Sequence, residues 1–269
     1  MNKFYIQTVL FLLRIFVYVN NKTLATEPVP EENTTPESKS RFSTPEEIYE
    51  KNKHLLCTDP EETTEAEKLM NEALIHAKCH SISMDDYEFF VKNPYPRIPL
   101  HTKIREDNID IDKIQYKVYG AYRLGEVIGE IWDPDSDHFL NKYSSKRKIV
   151  RVYSPNLVII QQRYKKWRFD RQKYFYALAI KVEISKYTTI IVMTSANIND
   201  HNPSSKEYKN KIIESANLFK IDIDSEDDIR SGKLKKTFLN IAGYFIQEYD
   251  SYVDIIYVES VSNIQILTT

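Results

Sequence analysis

Hydrophobic and polar positions divide the chain into an apolar opening, a polar stretch, a helical part and a long part with strand rhythm. Phe4 to Val19 are mostly apolar, with Lys3 before them and Thr23-Leu24-Ala25 after them. A positive residue, an apolar stretch and a small-residue site are the parts of a secretory signal peptide, read here as residues 1–25. Residues 26–43, TEPVPEENTTPESKSRFS, are rich in Pro, Glu, Ser and Thr and read as a disordered linker before a domain at 44–269. Thr44-Pro45-Glu46-Glu47 and Asp59-Pro60-Glu61-Glu62 each supply a capping side chain, a proline for the first helical position and early glutamates. Two helices therefore start there. The second carries Ala66, Leu69, Met70, Ala73, Leu74 and Ala77 at helical spacing, a stripe that buries one face. Leu124, Val127, Ile128, Ile131 and Trp132 predict a further short helix, ended by Asp133-Pro134.

From there the period falls to two. Strand runs occupy Lys148–Tyr153, Leu157–Lys165, Tyr174–Ile184, Thr189–Ala196, Thr237–Gln247 and Tyr252–Glu259. Weaker strands around 87–92 and 111–119 flank a proline-rich break at Pro94, Pro96 and Pro99. Consecutive runs with short connections predict an antiparallel meander. In the third run Tyr174, Tyr176, Leu178, Ile180, Val182 and Ile184 share a face, opposite Ala177, Ala179, Lys181 and Glu183. That apolar face needs a cover. A polar stretch, Asn197 to Lys236, separates the fourth and fifth runs; Ser204 to Glu207 suit the cap of a helix bearing Tyr208, Ile212, Ala216 and Phe219.

Composition narrows the chemistry. The chain has 269 residues, a net charge of -2 and only five glycines, which form no cluster. Dinucleotide and P-loop enzymes need grouped glycines to bring backbone N–H groups onto phosphate, and the charge gives no general pull toward nucleic acid. Cys57 and Cys79 lie on either side of the long helix, so two free thiols are expected rather than a bridge. Asp133-Pro-Asp135-Ser-Asp137 and Asp222-Ile-Asp224-Ser-Glu226 begin like calcium loops but lack the glycine at position six and the glutamate at twelve. His76 and His80 stand one helical turn apart beside Cys79 without a second ligand cluster, so no metal is expected. No G-x-S-x-G elbow is present, and His138 and His201, each beside carboxylates, read as solvated turn residues. No cofactor and no enzymatic activity are expected. Arg163–Lys173, RYKKWRFDRQK, joins two strands. It reads either as a solvated hairpin or as a membrane-docking tip in which Trp167 and Phe169 meet a lipid interface beside Lys165, Lys166 and Arg168.

Several stretches resemble the fam-a proteins of rodent malaria parasites: MNKFYIQTVLFLL, STPEEIYEKNKHLLC, KRKIVRVYSPNLVIIQQRYKKW, TIIVMTSANINDHNPSSKEYKNKIIE and LNIAGYFIQEYDSYVDIIYVES. The resemblance covers nearly the whole chain. It implies an α+β, START-like helix-grip fold: a curved antiparallel sheet with N-terminal helices, gripping a C-terminal lid helix around one lipid. VSNIQILTT after Glu259 has neither a cap nor a helical stripe, so the lid is expected to be truncated. The implied function is binding and transfer of a phosphatidylcholine-like phospholipid by a secreted monomer that touches membranes transiently. The implied destination is the parasitophorous vacuole or the host erythrocyte. Enclosure matters because exposing a sixteen-carbon chain costs on the order of 10 kcal/mol at about 0.8 kcal/mol per CH₂. The tunnel wall is assigned to Tyr174, Tyr176, Leu178, Ile180, Ile191 and Met193, plain core packing being the alternative at each, with Arg163 toward the headgroup. The rival reading is a truncated relative acting as a surface or interaction protein without transfer activity.

Overall fold

The computed structural model describes residues 42–92, 99–104, 109–120, 123–136, 144–165, 169–203 and 209–262. The signal peptide and nearly all of the linker, and the residues after Ser262 on which the lid expectation falls, lie outside them. The last linker residues do not hang free: the Ser43 N–H donates to Asp133 Oδ2 at 3.2 Å, and Phe42 lies where a side chain at Gly129 would collide with it.

Both capped helices form where their signals stand. Helix α1 (Pro45–Asn52) opens with a reciprocal capping box, Glu47 N–H to Thr44 Oγ1 and Thr44 N–H to a Glu47 carboxylate oxygen. Helix α2 (Pro60–Ile82) is capped by Asp59, which accepts from the Glu61 and Glu62 N–H groups. Its other end is closed by a lysine: Lys113 Nζ donates to Ser81 O at 2.7 Å and Ser83 O at 2.9 Å, placing a cation where the helix dipole favours one. Helix α3 is Leu124–Trp132, as its apolar spacing predicts.

The strands are β1 (Glu88–Lys92), β2 (Pro99–Ile104), β3 (Asp110–Tyr119), β4 (Ser144–Ser154), β5 (Leu157–Lys165), β6 (Lys173–Ser185), β7 (Thr188–Thr194), β8 (Asn197–Asn199), β9 (Lys220–Asp222), β10 (Lys235–Lys236), β11 (Phe238–Glu248) and β12 (Tyr252–Ser262). The main sheet runs β1-β2-β3-β12-β11-β7-β6-β5-β4, antiparallel throughout this path. The expected meander is therefore two meanders, joined where β12 inserts between β11 and β3. The final strand is an interior strand with partners on both sides. The proline-rich break also conceals a strand, because β2 begins at Pro99 and pairs with both β1 and β3. The helix expected from residue 208 onward is not formed over 209–213. There the Asn210 side chain bonds to the Ile212 and Ile213 N–H groups, to Thr194 Oγ1 and to Asn240 O, and a 3₁₀ turn follows at Glu214–Asn217. Both cysteines are free thiols. No helix among the described residues is long and apolar enough to cross a membrane. The outcome is an α+β helix-grip arrangement, a large curved antiparallel sheet held between helices.

The helices fall on opposite faces of this sheet. Helix α2 lies across β11, β7, β12 and β6, with Leu69, Met70, Ala73 and Leu74 buried. It comes so close at Gly243 that a Cβ there would stand 3.0 Å from Ala77 Cβ. Helix α3 packs on β7 and β11 from the other side, its Leu124, Val127, Ile131 and Trp132 joining Ile191, Met193, Tyr244 and Ile246 in one apolar cluster.

Candidate ligand-binding face

Strand register decides which residues share the α3 face. Cross-strand partners line up as Val158, Ala179, Met193, Ala242, Glu259, Asp112 and Thr102, a single row through β5, β6, β7, β11, β12, β3 and β2. The beginning of the row is apolar with small side chains, and its end is polar. The neighbouring row places Ile191, Tyr244, Tyr257 and Ile114 side by side. Period-two geometry carries all of these side chains to the same side.

The polar end is a connected line. The Tyr244 and Tyr257 rings lie 4.5 Å apart, and their hydroxyls and the Glu259 carboxyl are linked by hydrogen bonds. Glu259 pairs directly with Asp112, whose Oδ1 accepts from Thr102 Oγ1 at 2.8 Å. Glu259 is 8% exposed, and burial pushes its carboxyl up to about 8, the Tyr257 hydrogen bond opposing and Asp112 adding to the rise. Burial also raises Asp112. Two carboxyls facing each other across strands are strained when both are ionised, so at neutral pH the pair holds a proton. Burial raises Tyr116, Tyr244 and Tyr257 as well, which keeps these phenols neutral. At the far side of the cluster Arg147 closes α3, donating to Ile131 O at 2.8 Å, Asp133 O at 3.0 Å and Ser136 Oγ at 3.2 Å. Trp132, 8% exposed, has an indole N–H with no acceptor among the described residues.

The residues assigned from sequence to the tunnel wall do not form one surface. Ile180 pairs with Val192, so Ile191 and Met193 point away from Tyr174, Tyr176, Leu178 and Ile180. Ile191 and Met193 belong to the α3 face. The other four lie on the α2 face and are sealed: Tyr174 is 0% exposed, its hydroxyl donates to Asp200 at 2.8 Å, and Tyr176 accepts from Gln161 Nε2 at 2.7 Å. Their cover includes the 197–236 excursion, where α4 (Asp227–Arg230) and the turn before it dock on β4–β6. Asp200 there also binds Lys236 Nζ at 2.6 Å.

Arg163 is engaged as well. It makes a two-pronged pair with Asp228 at 2.6 and 3.0 Å and reaches Glu226 at 3.0 Å. Burial alone would raise Glu226, but hydrogen bonds from Lys148 and Gln161 outweigh it and hold this carboxyl at about 2. Arg163 thus latches the excursion to the sheet rather than standing open for a headgroup. Of the docking tip, Lys165 ends β5 and Phe169 is 94% exposed, whereas Lys166, Trp167 and Arg168 lie outside the described residues. His201, in a left-handed backbone conformation, is exposed and bonds Asp222 at 3.0 Å; His138 is outside the described residues.

Sequence reasoning passed over Glu259, Asp112, Tyr257 and Trp132. The available signal was a carboxylate at the end of the apolar run Val253–Val258, on the same side as Tyr257 and Ile255.

These features define a helix-grip domain with two buried sheet faces, one closed by α2 and one, under α3, that mixes apolar and polar groups. No family model matches the chain, and no curated protein matches it in sequence. Among solved structures it is similar to human StAR-related lipid transfer protein 5, at 9% identity over 77% of this chain and 85% of that one, with a TM-score of 0.49. It is similar also to the human StarD13 (DLC2) lipid transfer and protein localization domain, at 10% identity over 69% and 79% of the two chains and a TM-score of 0.45. A STAR-related lipid transfer protein fragment from Xanthomonas axonopodis gives 7% identity, coverage of 66% and 82%, and a TM-score of 0.43.

Proposed function

We propose that this chain binds one phospholipid of phosphatidylcholine type against the α3 face and carries it between membranes without chemistry. The observation that carries this reading is the row from Val158 to Thr102. Ala179, Met193 and Ala242 give a low apolar wall on which acyl chains can lie. Glu259, Asp112 and the two tyrosines beyond them give a polar end at which a headgroup can lie. Aromatic faces and carboxyls together suit a quaternary ammonium group. The sequence resemblance to a lipid-binding family supports the same reading. On this view the chain is secreted by way of residues 1–25, acts as a monomer, and meets membranes through Lys165 to Phe169. Its destination is the vacuole or host cell named by the resemblance.

The test is mass spectrometry of lipids that co-purify with the folded chain, joined to transfer between donor and acceptor vesicles. The expected result is one bound phospholipid and measurable transfer. Met193→Trp, which fills the wall, should reduce transfer about tenfold or more. A folded sample that neither holds nor moves lipid would overturn the proposal.

A further inference from the structure

We propose that the indole N–H of Trp132 is the hydrogen-bond donor that holds an ester carbonyl oxygen of the bound glycerolipid. This rests on the lipid-binding reading above and adds to it the contact that fixes the depth of the ligand. Trp132 is the last residue of α3 and is packed into the cluster formed by Met193, Ala242 and Tyr244. Its Nε1 is buried and finds no acceptor among the described residues. Buried N–H groups are nearly always paired, because leaving one unpaired forfeits its hydration with nothing in return. The polar atom therefore calls for an acceptor that the described residues do not supply.

The neighbourhood limits what that acceptor is. The oxygens at this helix end, Ile131 O, Asp133 O and Ser136 Oγ, already serve Arg147. Those three bonds also commit the guanidinium that a phosphate would need beside it, and an unpaired anion among apolar side chains is costly. An ester carbonyl is a neutral acceptor. In a glycerolipid it sits where the acyl chains meet the polar head, which is the junction that the row from Ala242 to Glu259 presents.

The experiment measures affinity of the full chain, stripped of lipid, for two phosphatidylcholines that share head and chain length, one a diester and the other a dialkyl ether. Wild type should prefer the diester by about tenfold, the factor that one net hydrogen bond sets. Trp132→Phe should bind both lipids alike. Equal affinity of wild type for the two lipids, or an ester preference that survives in Trp132→Phe, would overturn the assignment while the lipid-binding reading stands. Failure of wild type to bind either lipid would overturn both. The ester–ether comparison in wild type needs no variant to fold.

Discussion

The two faces of the sheet are built from alternate residues of the same strands, yet they are finished in opposite ways. On the α2 face the closure is apolar and tight, with helix and sheet so close that a Cβ at 243 would stand 3.0 Å from Ala77 Cβ. Several polar groups at its margins are paired: Lys113 caps α2, Glu62 accepts from Arg151 at 2.7 Å and Tyr153 at 2.6 Å, and Asp200 joins Lys236 to Tyr174. The α3 face retains an opposed carboxyl pair, phenols deep in the protein and an indole N–H without an acceptor among the described residues. Such groups lower stability, and a fold keeps them where they serve something besides stability. One face holds the protein together. The other carries the groups on which the lipid-binding proposal rests.

Three substitutions press on that contrast. The largest effect is expected from Leu74→Ala under the α2 face, where a fully buried leucine leaves a cavity. Urea unfolding should show a loss of about 2–5 kcal/mol, and a loss below ~1 kcal/mol would mean that this face is not the tight one. Next comes Gly243→Val, which drives a side chain into Ala77 and Val258. Overpacking of this kind costs about 1–3 kcal/mol. Ala77→Gly should recover part of it in a double-mutant cycle, and additive effects would show that the two positions do not touch.

The effect most dependent on pH, and the most informative about the α3 face, is that of Glu259→Gln. The folded state holds this proton up to about 8, against an ordinary carboxyl value of 4.5. The unfolded chain therefore releases the proton first. The contribution is fully present below about 4.5 and is lost as pH rises to about 8, with a slope of at most about 1.4 kcal/mol per pH unit. The glutamine variant should lack that slope in stability measured from pH 4.5 to 8.5. An identical slope in both proteins would place Glu259 in water rather than in the wall.

Much of this organisation was legible residue by residue. Thr44 and Asp59 marked helix starts because a capping side chain and a following proline satisfy local backbone rules that no distant contact can alter. The stripe from Ala66 to Ala77 specified a buried helix face for the same local reason, and the alternation in β6 announced a strand. That alternation did not say which side would be sealed, since Phe175, Ala177 and Ala179 are as buried as Tyr174 and Leu178. Placing Met193 with Ile180 was an error of register. Their faces differ because Ile180 meets Val192 across the β6–β7 hairpin, and a slip of one residue exchanges the two sides of a strand. Arg163 misled in a related way. In sequence it belongs to a basic hairpin, but Asp228, 65 residues later, folds back onto it.

What the sequence by itself determined is therefore the three N-terminal helices, the caps of two of them, the long strands and the α+β class, all set by short-range periodicity and capping chemistry. The tertiary structure alone decided the rest. It placed β12 between β11 and β3 rather than at an edge. It assigned α2 to one face and α3 to the other, and it set Glu259 against Asp112 across strands far apart in the chain. The physical reason is that a strand has two equivalent sides and two open edges until its partners arrive. Pairing register and helix docking are long-range choices, and it is they that set the Glu259 carboxylate opposite Asp112 at the polar end of one row across the sheet.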